Sequence, residues 1–179
     1  GHESTLEIGG EIYGSKDLYT KDDGSGNYYI LDDELIKPLK FATTRLPERN
    51  LVSVKEDGID SITLGSGAQN VGWTHKNKDD TSAAFWQRDG ATDKDETFSN
   101  WIDKALKLKS QSYVQDDAKP TNLEPAFDLT VKVAGKPSET LHVQKSGDDW
   151  YAESEFTRGL VKLTKGPVSD VAGDVQDIL

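Results

Sequence analysis

Histidine, carboxylate and indole side chains are the groups in this sequence whose types could do chemistry. Of the three histidines, His2 stands beside Gly1 in what reads as the remnant of a cleaved tag, leaving His75 and His142. A metal site or a general base needs several such groups to converge. Each of these histidines instead alternates with apolar neighbours on a predicted strand. Leu141 and Val143 face one way, which sends His142 to solvent, and His75 reads the same way. The acidic clusters Asp22-Asp23, Asp79-Asp80, Asp89 to Glu96 and Asp148-Asp149 could offer oxygens to a hard cation, but none has the D-x-[DN]-x-[DN]-G spacing. They fall at hairpin tips and helix starts, where Asp serves turns and caps. Gly24-Ser25-Gly26 and Gly65-Ser66-Gly67 are too short to cradle a phosphate, and no G-x-S-x-G elbow presents a serine. The chain contains no cysteine, which removes thiolate nucleophiles, disulfides and Cys-based zinc sites together. The expectation is no catalytic residue, no metal, no cofactor and no enzyme.

The tryptophans say more. Trp86 and Trp150 occupy corresponding strands, each shortly after a turn, as a recurring core position would require. Trp73, between Gly72 and Thr74 on a strand of weak apolar pattern, is the surface candidate. With His75 it forms the one patch assigned to a partner or ligand.

The elements that must carry these residues follow from periodicity. Thr5 to Ile8, Leu18 to Thr20 and Tyr28 to Leu31 read as short strands, followed by a helix from Asp32 to Lys37 limited by Pro38. Ser61 to Leu64, Val71 to Lys76 and Ala83 to Arg88 repeat the strand series. The helix that follows, from about Thr97 to Lys109, is capped by an Asp93/Glu96 pair, and Phe98, Trp101, Ile102, Ala105 and Leu106 share its apolar face. Trp101, central on that face, is expected to be buried against the sheet. After an extra strand from Phe127 to Ala134 come Thr140 to Gln144, Trp150 to Glu153 and Leu160 to Leu163, with a last helix opened by Pro167. The fold class is therefore α+β: repeated β-β-β-α units, small antiparallel sheets each packed by one helix. The units are 1–57 with its connection, 58–117, and 118–179 with Ala118 to Pro125 as linker. Because three short strands are marginal alone, neighbouring units are expected to pack or share an edge.

Length and charge bound the rest. The 179 residues allow one domain or two small ones. Thirty-two acidic against 21 basic residues give a net charge of -11, a field that repels nucleic acid. The longest apolar runs, such as Tyr28 to Leu31, are far too short to span a bilayer. The chain contains no methionine, and it reads as a fragment that begins inside its first unit.

A strand ending in Ile8-Gly9, the strand before Asp32-Asp33-Glu34-Leu35, the Arg45-Leu46-Pro47-Glu48-Arg49-Asn50-Leu51 connection, Ile59-Asp60-Ser61-Ile62-Thr63-Leu64, and a Trp-containing strand leading by an acidic cap into an amphipathic helix carry a resemblance. Together they resemble an uncharacterised bacterial family, a domain of unknown function. The resemblance implies an extracytoplasmic, periplasmic or cell-surface location behind a membrane anchor, and genes encoded beside ABC-2-type transporter and gliding-motility auxiliary proteins. It carries over no catalytic residue. The function expected is a non-enzymatic scaffold or partner-binding module of a membrane-anchored protein, its partner a protein of a transport or motility complex. The alternative is a surface module that binds glycan or cations.

Overall fold

The computed structural model describes residues 5–40 and 48–179. The chain divides between Pro47 and Glu48 into two compact units, and the α+β class with antiparallel sheets holds in both.

The first unit is a three-stranded antiparallel sheet, β1 (Leu6–Glu11), β2 (Leu18–Asp22) and β3 (Tyr28–Leu31), in the order β1-β2-β3. Helix α1 (Asp33–Lys40) follows. It runs past the expected stop, with Pro38 inside it. The start is held by Asp32, whose Oδ1 accepts from the Glu34 N–H at 2.9 Å. The apolar positions expected on this helix split: Ile36 is buried, whereas Leu35 and Leu39 are exposed. Leu18 and Thr20 are buried on one sheet face, and the cross-strand pair Tyr19 and Ile30 with Tyr28 lies on the other, exposed. The asparagine- and glycine-bearing turn between β2 and β3 is tied by Asp22, whose carboxylate accepts from the Gly24 N–H at 3.1 Å and the Ser25 hydroxyl at 2.6 Å.

The second unit is one eight-stranded sheet. In chain order its elements are β4 (Ser61–Ser66), β5 (Gln69–Lys76), β6 (Phe85–Arg88), α2 (Glu96–Leu106), β7 (Ser110–Tyr113), β8 (Glu124–Lys132), β9 (Glu139–Ser146), β10 (Asp149–Glu153), β11 (Val161–Leu163) and α3 (Lys165–Ile178). The spatial order is β6-β5-β4-β8-β9-β10-β11-β7, antiparallel throughout. At its centre Ile62 stands opposite Val131 and Leu64 opposite Leu129. Alternation along the strands sends Ile62, Leu64, Trp73, Trp86, Phe127, Leu129, Val131, Leu141, Val143 and Val161 into one core, which α2 and α3 close with Phe98, Trp101, Ile102, Val168, Val171 and Val175. The opposite face carries Thr63, Thr74, Gln87, Asp128, Thr130, His142 and Lys162, polar as a one-sided sheet requires.

These arrangements correct the expected divisions. Segments 58–117 and 118–179 do not stand as separate units, because β4 of one pairs with β8 of the other and the two share a sheet. The 118–125 stretch leads from β7 into β8, whose first two residues it contains, and is no linker between units. The boundary falls before residue 57 because Leu51 and Val52 are buried in the second core, and the Leu51 carbonyl accepts from the buried Ser154 hydroxyl at 2.6 Å. Strand β7 was not expected: Ser-Gln-Ser-Tyr is short and polar, with one edge paired to β11 and nothing apolar to alternate. Helix α2 is capped by Asp95, two residues after the expected Asp93. The tag reading at Gly1-His2 and part of the Arg45 to Leu51 connection lie outside the described residues.

Candidate functional site

Trp73 is not a surface residue. Its indole is fully buried, lies parallel to the Phe98 ring at 3.9 Å between centroids, and donates from Nε1 to Asp95 Oδ2 at 2.9 Å. The pairing of Trp73 with Ile62 across β4 and β5 puts it on the helix side of the sheet. Gly72 and Thr74 made the strand look weakly apolar, but both belong to the other face, where alternation places them.

His75 points to the same side as Trp73, two residues along β5 and opposite Trp86 of β6, and lines a cavity to which Ser99 of α2 also contributes. Its ring is half-buried and stacks on Trp86 at 4.4 Å and 12°. Nδ1 lies 3.1 Å from the Ile59 carbonyl oxygen. A carbonyl only accepts, so Nδ1 carries a proton and donates. Behind Trp86 the rings continue: Trp86 meets Phe98 edge-on at 5.5 Å, Phe98 lies 5.9 Å from Trp101, and Trp101 lies 5.9 Å from Phe127. Each indole N–H in this run has one acceptor. Trp86 Nε1 donates to Glu56 Oε1 at 2.9 Å, and Trp101 Nε1 to the Val171 carbonyl at 2.9 Å, which ties α2 to α3.

These residues form one wall of a cavity of about 470 Å³ inside the second unit. The short 3₁₀ turn Glu56–Gly58 with Lys55 supplies another wall, and the connection from β5 to β6 the rim. That connection is stiffened by its own bonds. Asn77 adopts φ 54°, a left-handed conformation that Asn tolerates. The Asp80 N–H donates to the Asn77 carbonyl at 2.9 Å and the Ala83 N–H to the Asp80 carbonyl at 2.9 Å. The Asp80 carboxylate accepts from the Ser82 hydroxyl at 2.6 Å and its N–H at 3.1 Å, which holds its pKa below the usual carboxylate range.

Asp60 anchors the rim to the sheet. Its carboxylate pairs with the Lys78 ammonium and accepts the Ala134 N–H. Its backbone carbonyl accepts the His75 N–H at 2.8 Å. The Lys78 hydrogen bond, and then the Ala134 N–H, lower the Asp60 pKa. Glu56 was not read from the sequence, Asp95 was read only as part of the acidic cluster Asp89 to Glu96, and Asp60 only as part of the Ile59 to Leu64 segment. The signal that could have found them is the need of each buried indole N–H and each loop cation for an oxygen nearby.

His142 lies on the exposed sheet face, where its Nδ1 is 2.7 Å from Asp128 Oδ1. Trp150, expected in the core, is buried at β10 with the Lys145 ammonium 5.4 Å from its ring centroid. Among the described residues no group of three His, Asp or Glu side chains is placed to hold a metal ion. Among them, too, no helix is long and apolar enough to cross a membrane.

No family model, curated protein or solved structure matches this chain.

Proposed function

We propose that the chain is a non-enzymatic partner-binding module of an extracytoplasmic, membrane-anchored protein, acting as a scaffold within a transport or motility complex. The observation that carries the reading is where apolar surface is left uncovered. Every large exposed hydrophobic side chain among the described residues belongs to the first unit, with Tyr28 at 74%, Ile30 at 67% and Tyr19 at 52% exposure on one face of its sheet. Leu6, Ile8 and Tyr29, each about half exposed, stand on the other face, so both faces of this small sheet carry uncovered apolar surface of the kind a protein interface selects. The compartment and the complex rest on the resemblance in the sequence.

The reading includes a fold built by repetition of a β-β-β-α element. Three consecutive antiparallel strands precede a helix in β1-β2-β3-α1, β4-β5-β6-α2 and β9-β10-β11-α3, which supports it. Repetition widens surface and does not by itself build a single deep cleft.

The test is co-expression of the whole chain with the membrane proteins encoded beside its gene, followed by purification on the chain's tag. One of those proteins should co-purify with the wild type and be lost with the Tyr19→Ser/Tyr28→Ser/Ile30→Ser variant, while the dispersion of the first unit's amide resonances is unchanged. Equal recovery with the variant, or no recovery with either chain, overturns the reading.

A further inference from the structure

We infer that the cavity beside His75 is a binding site for an uncharged saccharide, a role separate from the apolar face of the first unit. Thr20 Oγ1 is the buried side-chain polar atom that lacks a hydrogen-bond partner among the described residues. His75 Nε2 and Glu56 Oε2 also lack one there, since His75 bonds through Nδ1 and Glu56 through Oε1. Neither belongs to the buried set, so both atoms are open to water from half-buried residues that line the cavity. Their orientation is fixed from behind, His75 by the Ile59 carbonyl and the Trp86 stack, Glu56 by the Trp86 indole N–H. Such preorganised acceptors bind without first paying an ordering cost.

The lining selects the ligand class. Lys55 and Lys78 stand in the lining with Glu56 and Asp57, and Lys78 is already paired with Asp60, so the wall offers both signs and no concentrated positive charge to hold an anion. The chain as a whole carries -11, which opposes a polyanion. Acceptors on Glu56 and Asp57 stand in the same lining as the donors of Lys55 and Thr81. A hydroxyl both donates and accepts, and a run of hydroxyls satisfies such a mixed wall, whereas a carboxylate or an ammonium ligand satisfies half of it. Phe85 and Ala84 add an apolar strip of the kind that covers the C–H face of a pyranose ring. The volume of about 470 Å³ lies within the range of small-ligand sites.

The experiment titrates the full chain with chitotriose, cellotriose and maltotriose, and with trigalacturonate and the chitosan trimer as charged counterparts. Binding is read from tryptophan emission, because Trp86 lies in the wall, and from the side-chain nitrogen resonances of His75. At least one neutral trimer should bind saturably with a Kd of about 1 mM or tighter and should move the His75 Nε2 resonance. His75→Phe keeps a ring to stack on Trp86, and Lys55→Met changes an exposed side chain with no ion-pair partner among the described residues. Each should weaken binding about tenfold, and His142→Gln on the opposite sheet face should leave it unchanged. If His75→Phe lowers the melting temperature, Lys55→Met carries the test alone. Absence of saturation by all three neutral trimers up to about 20 mM, preference for either charged trimer, or undiminished binding in Lys55→Met overturns the inference.

Discussion

Asp95 joins two jobs in one carboxylate: Oδ1 accepts the Phe98 N–H at 2.9 Å as the cap of α2, and Oδ2 accepts the Trp73 indole N–H at 2.9 Å. Asp95→Ala removes a cap worth about 1 kcal/mol and leaves a fully buried N–H unpaired at about 1 to 3 kcal/mol. The expected loss of stability is therefore about 2 to 4 kcal/mol, measurable as a lower urea midpoint. Asp95→Asn, which retains one acceptor oxygen, should lose less. Asp60 gives a second prediction. Its carboxylate is favoured in the folded chain by Lys78 and the Ala134 N–H, so its folded pKa lies below the unfolded value near 4. The stabilisation is complete above that unfolded value and is lost as pH falls through the folded one. The stability difference between wild type and Asp60→Asn should therefore be constant near neutrality and close as pH drops below about 4. A difference that does not shrink at all as pH falls below about 4 would show that the pair is not its source. Neither carboxylate was legible as important in the sequence, where both sit among many surface-like aspartates. Their weight comes from partners brought in by strand pairing, which no local pattern records.

Element by element, the strong periodicities carried through and the weak ones did not. Phe98, Trp101, Ile102 and Ala105 were readable as a face because four residues at helical spacing reinforce one another, and all four are buried. Trp73 was misread because a strand face needs only alternate residues to be apolar, and Gly72 and Thr74 said nothing about the side Trp73 takes. Trp101 is buried and its indole N–H is bonded to α3, so Trp101→Ala should cost about 3 to 5 kcal/mol in a denaturant titration. The two tightest hairpins make a further test. β4 and β5 are joined through Gly67 at φ 60°, and β9 and β10 through Gly147 at φ 58°, each at the first position of a two-residue turn. That is the position at which a II′ turn requires positive φ. Gly67→Ala and Gly147→Ala should each lower stability by about 1 to 2 kcal/mol, whereas Gly173→Ala, in helix α3 with open space around it, should raise stability slightly. An equal loss at all three positions would show that turn conformation is not the cause.

On the scale of the molecule the two units differ in how they are held. Among the described residues of the first unit, Leu18 and Ile36 are the buried apolar side chains, while the second unit encloses a continuous core with three of the four tryptophans nearly inaccessible. Residues 48–179 expressed alone should therefore give a dispersed NMR spectrum and one cooperative unfolding transition, and residues 1–47 alone should give neither. An unfolded 48–179 fragment would contradict the division. The pairing of β4 with β8 bears on synthesis. As the chain leaves the ribosome, β4, β5, β6 and α2 are complete before β8 exists, so the apolar face and one open edge of β4 wait for a strand still to be made. The far edge waits on the same closure, because β7 is translated early yet pairs with β11 near the end. Local hairpins can form on the microsecond scale, but the seam that makes them one sheet is long-range, and its closure sets a refolding time of about milliseconds to seconds. Disturbing that seam at Leu129 should slow refolding, whereas shortening Val171 in the last helix should mainly hasten unfolding. The nascent first half of the sheet is thus the stage at which a chaperone would find this chain, and at which it is most exposed to pairing with the wrong strand.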